Sequence, residues 1–261
     1  MPAREWNAEA YHRVSSPQTS WGLRVLERLS VQGDERVIDA GCGTGRLTGE
    51  LMTRLPRGRL IAIDRSWNML LTARANLRPD FGRRISYVRV ELPWLPFHEW
   101  ADIVFSTATF HWVRDHETLF RQILLALRPG GRLFAQCGGG PNLREAHRLA
   151  EDVMRREPFA TPFRDWTGVW EFSTADDAAR RMRGAGFSDV STGLEPAPTT
   201  LADEASYREF VTTVIYNPHL ERLPAGPLRL RFIDEVTARA AQQDPPYTLD
   251  YWRLNLTGRR P

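Results

Sequence analysis

The 261 residues contain no lysine, so all 35 basic side chains are arginine. Chemistry that needs an ε-amine is thereby excluded, including Schiff-base catalysis, pyridoxal phosphate attachment and the phosphate-gripping lysine of a P-loop. Cysteine is scarce as well. Cys42 and Cys137 are too few for a disulfide framework or a thiolate metal site, the six histidines show no ligand spacing, and no metal is expected. No apolar run approaches the roughly 20 residues of a membrane span, so no membrane partner is expected. The opening stretch "MPAREWNAEAY" lacks the charged-then-apolar order of a secretory signal, which predicts a cytoplasmic protein. A formal charge of +3, with arginines interleaved among Asp and Glu, leaves no basic stripe for nucleic acid.

What is present is an alternation of short apolar runs with helical patterns, the mark of a parallel sheet covered on both faces. "RVIDA" (36–40), "RLIAIDR" (59–65), "ISYVRV" (85–90), "ADIVFST" (101–107) and "GRLFAQC" (131–137) are predicted strands. Helices are predicted over 45–55, over 66–77 with Ser66 as N-cap, and over 116–128, where "RPGG" stops the helix and turns the chain into the next strand. The second half is less regular. Helical patterns at 142–157 and 175–185 precede possible strands at 187–196 and 247–259. One domain is expected over 1–261, with an N-terminal helical segment (1–33) over the site and a helical insertion (197–246) before the last strand. Insertions of that length beside an α/β sheet often cover the ligand.

"VIDAGCGTGRLTGE" (37–50) sets Gly41, Gly43 and Gly45 directly after the first strand. Without β-carbons the backbone can turn tightly and approach a ligand, while free N–H groups at the following helix start favour an anion. Arg46 stands where a dinucleotide fingerprint wants glycine, which argues against a close-packed pyrophosphate. Asp64, about twenty residues on and at the end of the second strand, is placed to accept both hydroxyls of a ribose. An adenosine carrying a carboxylate fits this pair of features.

"VIDAGCGTG", "AIDRS", "VRVELPWLPF", "DIVFSTATFHWV" and "LRPGG" together resemble the successive motifs of class I S-adenosylmethionine-dependent methyltransferases across most of residues 34–137. The resemblance implies a Rossmann-like seven-stranded α/β sheet in the order 3-2-1-4-5-7-6 with strand seven antiparallel, helices on both faces and a helical cap. It also implies roles. Gly41, Gly43 and Gly45 would line the methionine part of S-adenosyl-L-methionine, with Asp39 near its amino end. Asp64 would hold the ribose, Arg65 flank the adenine, and Glu91 with the Leu92 backbone meet the adenine edge. Ser106 and Thr107 would sit beside the methionine group, and Tyr11 would close over the cofactor.

The acceptor is expected to be a small molecule. The candidate acceptor-binding stretches are "FHW" (110–112) and "YHRVSSPQTSW" (11–21), and the first of them, together with the long helical segment before the last strand, is similar to the group containing trans-aconitate and juvenile hormone acid methyltransferases, which esterify carboxylic acids. That likeness implies that Gln18 and Trp112 hold an acceptor carboxylate, each through an N–H donor. His111 stays open as a base for a hydroxyl or phenol acceptor, or as a structural residue. An NAD-dependent oxidoreductase and a non-catalytic cofactor-binding partner subunit are the rival readings. "DPPY" (244–247) imitates a motif of DNA amino-methylating enzymes but lies before the last strand, so a turn is expected there.

Overall fold

The structure, a computed structural model, describes Glu5 and residues 16–261, the side chains of 16–19 excepted. After α1 (Ser16–Arg28) the chain alternates: β1 (Arg36–Ala40), α2 (Arg46–Thr53), β2 (Arg59–Asp64), α3 (Trp67–Phe81), β3 (Ile85–Arg89), β4 (Ala101–Thr107), α4 (His116–Ala126) and β5 (Leu127–Gly138). Later come α5 (Arg144–Met154), α6 (Ala160–Phe163), α7 (Ala175–Ala185) and β6 (Ser188–Pro196). The chain closes with β7 (Thr199–Thr200), α8 (Glu204–Phe210), α9 (Asn217–Arg222), α10 (Pro227–Ala240), β8 (Thr248–Leu249) and β9 (Trp252–Arg259).

Seven strands form one sheet in the order β3-β2-β1-β4-β5-β9-β6, and β9 runs antiparallel to β5, so the expected topology is borne out. The pairs β2 with β3, β1 with β2, β1 with β4 and β4 with β5 are all parallel. Strand order reverses between β1 and β4, which opens a crevice at their carboxyl ends.

Local chemistry starts and stops these elements. Ser66 caps α3 by accepting from the Met69 N–H, as expected, and Asp115 caps α4 by accepting from Thr118. Gly186, at φ 106°, ends α7 in the left-handed conformation that most residues avoid. Some boundaries differ from the pattern. Helix α3 continues through Pro79 to Phe81, and β5 begins at Leu127, so the chain is extended already at "RPGG". The last strand begins only at Trp252, and within the expected helical insertion α8 passes into a π turn at Val211–Ile215.

Alternation along the strands sends side chains to two cores. On one face Val37, Leu60, Ala62, Ile103 and Phe105 pack with Leu26 of α1, Leu51 and Met52 of α2 and Leu70 of α3. On the other, Ile38, Ile63, Val104 and Leu133 pack with Leu119, Phe120 and Ile123 of α4 and Met182 of α7. This sheet unit comprises the described residues up to Gly140 together with Trp170–Glu195 and Arg253–Pro261.

Residues Pro141–Val169 and Pro196–Trp252 form a second compact unit. Its centre is aromatic: Phe159 and Phe163 meet Phe232 of α10 at ring distances of 5.6 and 5.7 Å, and Tyr216 and His219 pack on the same ring. Asp250 holds the start of α5, accepting from Glu145 N–H at 2.9 Å. "DPPY" lies in the turn between α10 and β8, as expected.

Phe120 is fully buried and stands edge-on to Phe110 at 6.5 Å, where α4 supports the turn that follows β4. Phe120→Ala is expected to cost about 3–5 kcal/mol through lost burial and the cavity left behind. Urea denaturation followed by near-ultraviolet circular dichroism checks this; a loss below about 1 kcal/mol would show that the site collapses without penalty.

Candidate functional site

Three glycines leave β1 with positive φ, 84° at Gly41, 53° at Gly43 and 84° at Gly45. They are bare for different reasons. A β-carbon at Gly41 would run into the Thr109 side chain, and one at Gly45 would lie 2.7 Å from Leu77 Cδ1. Among the described residues nothing stands within 4 Å of where a Gly43 β-carbon would be, so the middle of the loop borders open space on their side. The N–H groups of Gly41 and Cys42 both donate to the Ile63 carbonyl, at 2.8 and 2.9 Å.

Asp64 completes the tie between loop and β2. Its Oδ2 accepts from Gly43 N–H at 3.0 Å and its Oδ1 from Ser66 N–H at 2.9 Å. Each oxygen keeps a lone pair for a further donor, such as a sugar hydroxyl. Burial raises this carboxyl above its ordinary range, opposed by those two N–H donors and by Arg65. Arg65 reaches Glu91 at 3.8 Å, and its Nε is buried with no hydrogen-bond partner among the described residues. Leu92 follows, half-buried. Glu5 sits at the same corner, accepting from Ser66 Oγ at 2.8 Å and from the first N–H groups of α3 at 3.3 Å.

Asp39 is 3% exposed, and Thr48 Oγ1 donates to its Oδ2 at 2.6 Å. Burial raises its carboxyl to about 7, against the lowering effect of Thr48 and with added repulsion from Asp64. Ser106 is buried and donates to the Ala40 carbonyl at 2.7 Å, which clamps β4 to β1, whereas Thr107 is half-buried. Thr109 Oγ1 donates to the Thr107 carbonyl at 2.9 Å.

"FHW" forms a tight turn after β4. His116 holds it, with Nε2 2.9 Å from the Phe110 carbonyl and Nδ1 3.1 Å from Ser173 Oγ. The Glu171 N–H donates to the His111 carbonyl at 2.9 Å, which brings residues 170–173 alongside. The result is an aromatic layer: His111 against Phe172 at 5.9 Å, Trp112 against Trp170 at 5.7 Å, and Trp170 parallel to Phe172 within 7°.

The His111 imidazole has its Nδ1 occupied by the Gly138 N–H at 3.2 Å, so the ring's proton is on Nε2. Burial pushes its pKa down to about 3, and the Arg253 cation and the neighbouring His116 imidazole push the same way. The ring is neutral at physiological pH, with its accepting nitrogen already engaged.

Of the residues singled out from sequence, Asp39, Gly41, Gly43, Gly45, Asp64, Arg65, Glu91, Leu92, Ser106, Thr107, His111 and Trp112 all belong to the sheet unit and lie at or just beyond the carboxyl ends of β1 to β4. Tyr11 and the Gln18 side chain lie outside the described residues. Thr48 and Thr109 lie inside the quoted motifs with no role assigned to them, and Phe172 lies outside any motif. Trp170 was visible only as one of many aromatics.

A glycine cradle at the switch point, an acidic residue at the end of β2 and a sheet closed by an antiparallel β9 define a nucleoside-binding α/β protein of the methyltransferase type. A family model described as "Methyltransferase domain" matches residues 37–131. The chain is similar to a trans-aconitate 2-methyltransferase of Variovorax paradoxus, with 30% identity over 94% of this chain and 92% of the relative. A protein of that name from Methylobacterium nodulans is 29% identical over 98% of each chain. Among solved structures, a Haemonchus contortus phosphoethanolamine N-methyltransferase 2 in complex with S-adenosyl-L-methionine shares the fold. Its TM-score is 0.61 at 18% identity, covering 97% of this chain and 56% of that one, so this chain spans little more than half of its length. The chain belongs to the class I S-adenosylmethionine-dependent methyltransferases, and the oxidoreductase reading falls away.

Asp39 generates a pH prediction. The folded protein holds this proton more tightly than the unfolded chain, so the stabilisation is complete below the ordinary value of 3.8 and is lost as pH rises through about 7. Asp39→Asn should therefore flatten the fall in stability between those two values, measured as urea midpoints across pH. An unchanged slope would remove Asp39 as its source.

Proposed function

We propose that this methyltransferase transfers the methyl group to the carboxylate of a small organic acid. The observation that supports this best is the state of His111. A hydroxyl or phenol acceptor needs a base, yet this imidazole has its accepting nitrogen engaged by Gly138 and its pKa held near 3. A carboxylate is ionised at neutral pH and needs none. Relatives named for trans-aconitate, itself a carboxylic acid, support the same class.

S-adenosyl-L-methionine supplies an electrophilic methyl on a sulfonium. The open space beside Gly43 and the spare acceptor capacity of Asp64 suit such a molecule. In this reading the loop glycines 41, 43 and 45 lie along its methionine portion, with Asp39 toward the amino end. Asp64 accepts from the ribose, Arg65 flanks the adenine, and Glu91 with the Leu92 backbone meets the adenine edge. Ser106 and Thr107 border the methionine group, Ser106 through the backbone it clamps, and Tyr11 closes over the cofactor. Trp112 and Gln18 donate to the acceptor carboxylate. His111 offers its Nε2 proton as a fixed donor and fixes the turn that carries Trp112. The remaining task is alignment and exclusion of water, worth roughly 7–11 kcal/mol in well-oriented model reactions.

Transfer from methyl-labelled cofactor into a panel of acids, phenols and amines should yield methyl esters; label found only in the phenols or amines would overturn the carboxylate reading. Asp64→Ala should weaken cofactor binding by at least about tenfold, the worth of a hydrogen bond to a charged group. Calorimetry reads this directly. His111→Gln should retain ester formation within about tenfold, whereas loss of a true general base would cost about 100-fold or more.

A further inference from the structure

Among the described residues, Glu99, Ala108, Leu143, Asp189 and Tyr247 hold a positive φ without being glycine. Of these, Ala108, at φ 54°, directly follows Thr107 at the carboxyl end of β4, beside the glycine loop of β1. A β-carbon makes this region costly because it crowds the following carbonyl oxygen, whereas glycine occupies it without penalty. A side-chain-bearing residue stays in such a conformation only where its surroundings over-determine it, and residues of this kind cluster where position serves function.

Neighbours on both sides hold Ala108. Its N–H donates to the Gln136 carbonyl of β5 at 2.8 Å, and the Gln136 side-chain amide is tied in turn to Asn255 of β9 at 2.8 Å. Thr109 Oγ1 reaches back across Ala108 to the Thr107 carbonyl at 2.9 Å and lies 3.5 Å from the Gly41 carbonyl. The same side chain fills the space that a β-carbon at Gly41 would need, so the bend at Ala108 lays Thr109 on the glycine loop. Beyond it the Trp112 N–H donates to the Thr109 carbonyl and the Val113 N–H to the Phe110 carbonyl, both at 2.9 Å. His116, Gly138 and Glu171 then fix Phe110 and His111 from outside the turn. The glycine loop and the turn that carries His111 and Trp112 therefore share one joint, Ala108 with Thr109.

We infer that Ala108 is a positioning residue for methyl transfer: its left-handed backbone, kept in spite of a β-carbon, sets the turn of His111 and Trp112 at a fixed place relative to the glycine loop. This rests on the reading above in which Trp112 meets the acceptor, and deepens it. Ala108 acts through Thr109 and the turn, not by contact with the reacting atoms. In-line transfer depends on how the attacking atom is aligned with the methyl group, and a misplacement of about 1 Å can cost about 100-fold in rate. Glycine at this position would admit many backbone conformations besides the present one, and the turn beyond it would wander. Alanine narrows that range to the conformation its neighbours select. Strain relief and loss of rate should therefore arrive together when the β-carbon is removed.

The test is Ala108→Gly in the full-length protein, with Trp112→Phe alongside. Glycine suits the left-handed region, so the urea midpoint of Ala108→Gly should equal or exceed that of the wild type. A lower midpoint, or a protein that does not fold, means that position 108 does not hold this conformation and overturns the inference. Hydrogen exchange of the Trp112 and Val113 amides should quicken by at least about fivefold while global stability is kept, which marks local loosening. For whichever acceptor the panel identifies, kcat should fall by about tenfold or more while the Kd for S-adenosylmethionine, read by calorimetry, changes by less than about threefold. Trp112→Phe, which removes the indole donor, should raise the acceptor's KM by about tenfold or more. Unchanged exchange in Ala108→Gly, or an equal loss of cofactor affinity, overturns the inference. Unchanged kcat in Ala108→Gly beside an impaired Trp112→Phe overturns the inference alone and leaves the acceptor reading intact. Faster exchange with wild-type kinetics in both variants shows that the turn does not face the acceptor, and overturns that reading together with the inference built on it.

Discussion

The contact between the Asp64 carboxylate and the Gly43 N–H is the constraint on which the rest of the site depends. It joins the loop after β1 to the end of β2, and the Ile63 carbonyl reinforces the joint by accepting from Gly41 and Cys42. A loop of glycines by itself is a conformationally costly segment, because glycine loses most freedom on folding. Held from the side by Asp64 and Ile63, it keeps a shape in which Gly43 faces open space and its neighbours pack against Thr109 and Leu77. The carboxylate that fixes the loop retains lone pairs for a ligand, so one side chain both builds the cradle and faces its contents.

Desolvation sets the chemistry at both ends of this crevice. It raises the Asp39 carboxyl to about 7 and strips His111 of basicity. In the proposed reading the acceptor is already an anion, so a strong base has little use and what the site needs is a dry, ordered surface. The aromatic layer of His111, Trp112, Trp170 and Phe172 suits that requirement.

Much of this was legible in the chain. β1 and β4 stand where their apolar runs placed them, because strands buried on both faces read as continuous Val, Ile, Leu and Phe. The Ser66 cap was legible too, since a cap is chemistry between residues three apart. Where reading along the chain fell short, a distant partner decided the outcome. β5 starts early because Leu127 pairs with Ala101, and the helical pattern after Glu204 breaks into a π turn that periodicity does not mark.

The sequence by itself determined the order of elements, the glycine loop, the acidic residue that faces it and the class of cofactor, because each is written in spacings of a few residues or in a fixed succession of strands. Tertiary structure decided which nitrogen of His111 is occupied, which carboxyl is pushed toward neutrality and which of the arginines is buried. Those properties come from desolvation and from contacts between residues far apart in the chain, and neither is expressed in the identity of a residue or its immediate neighbours.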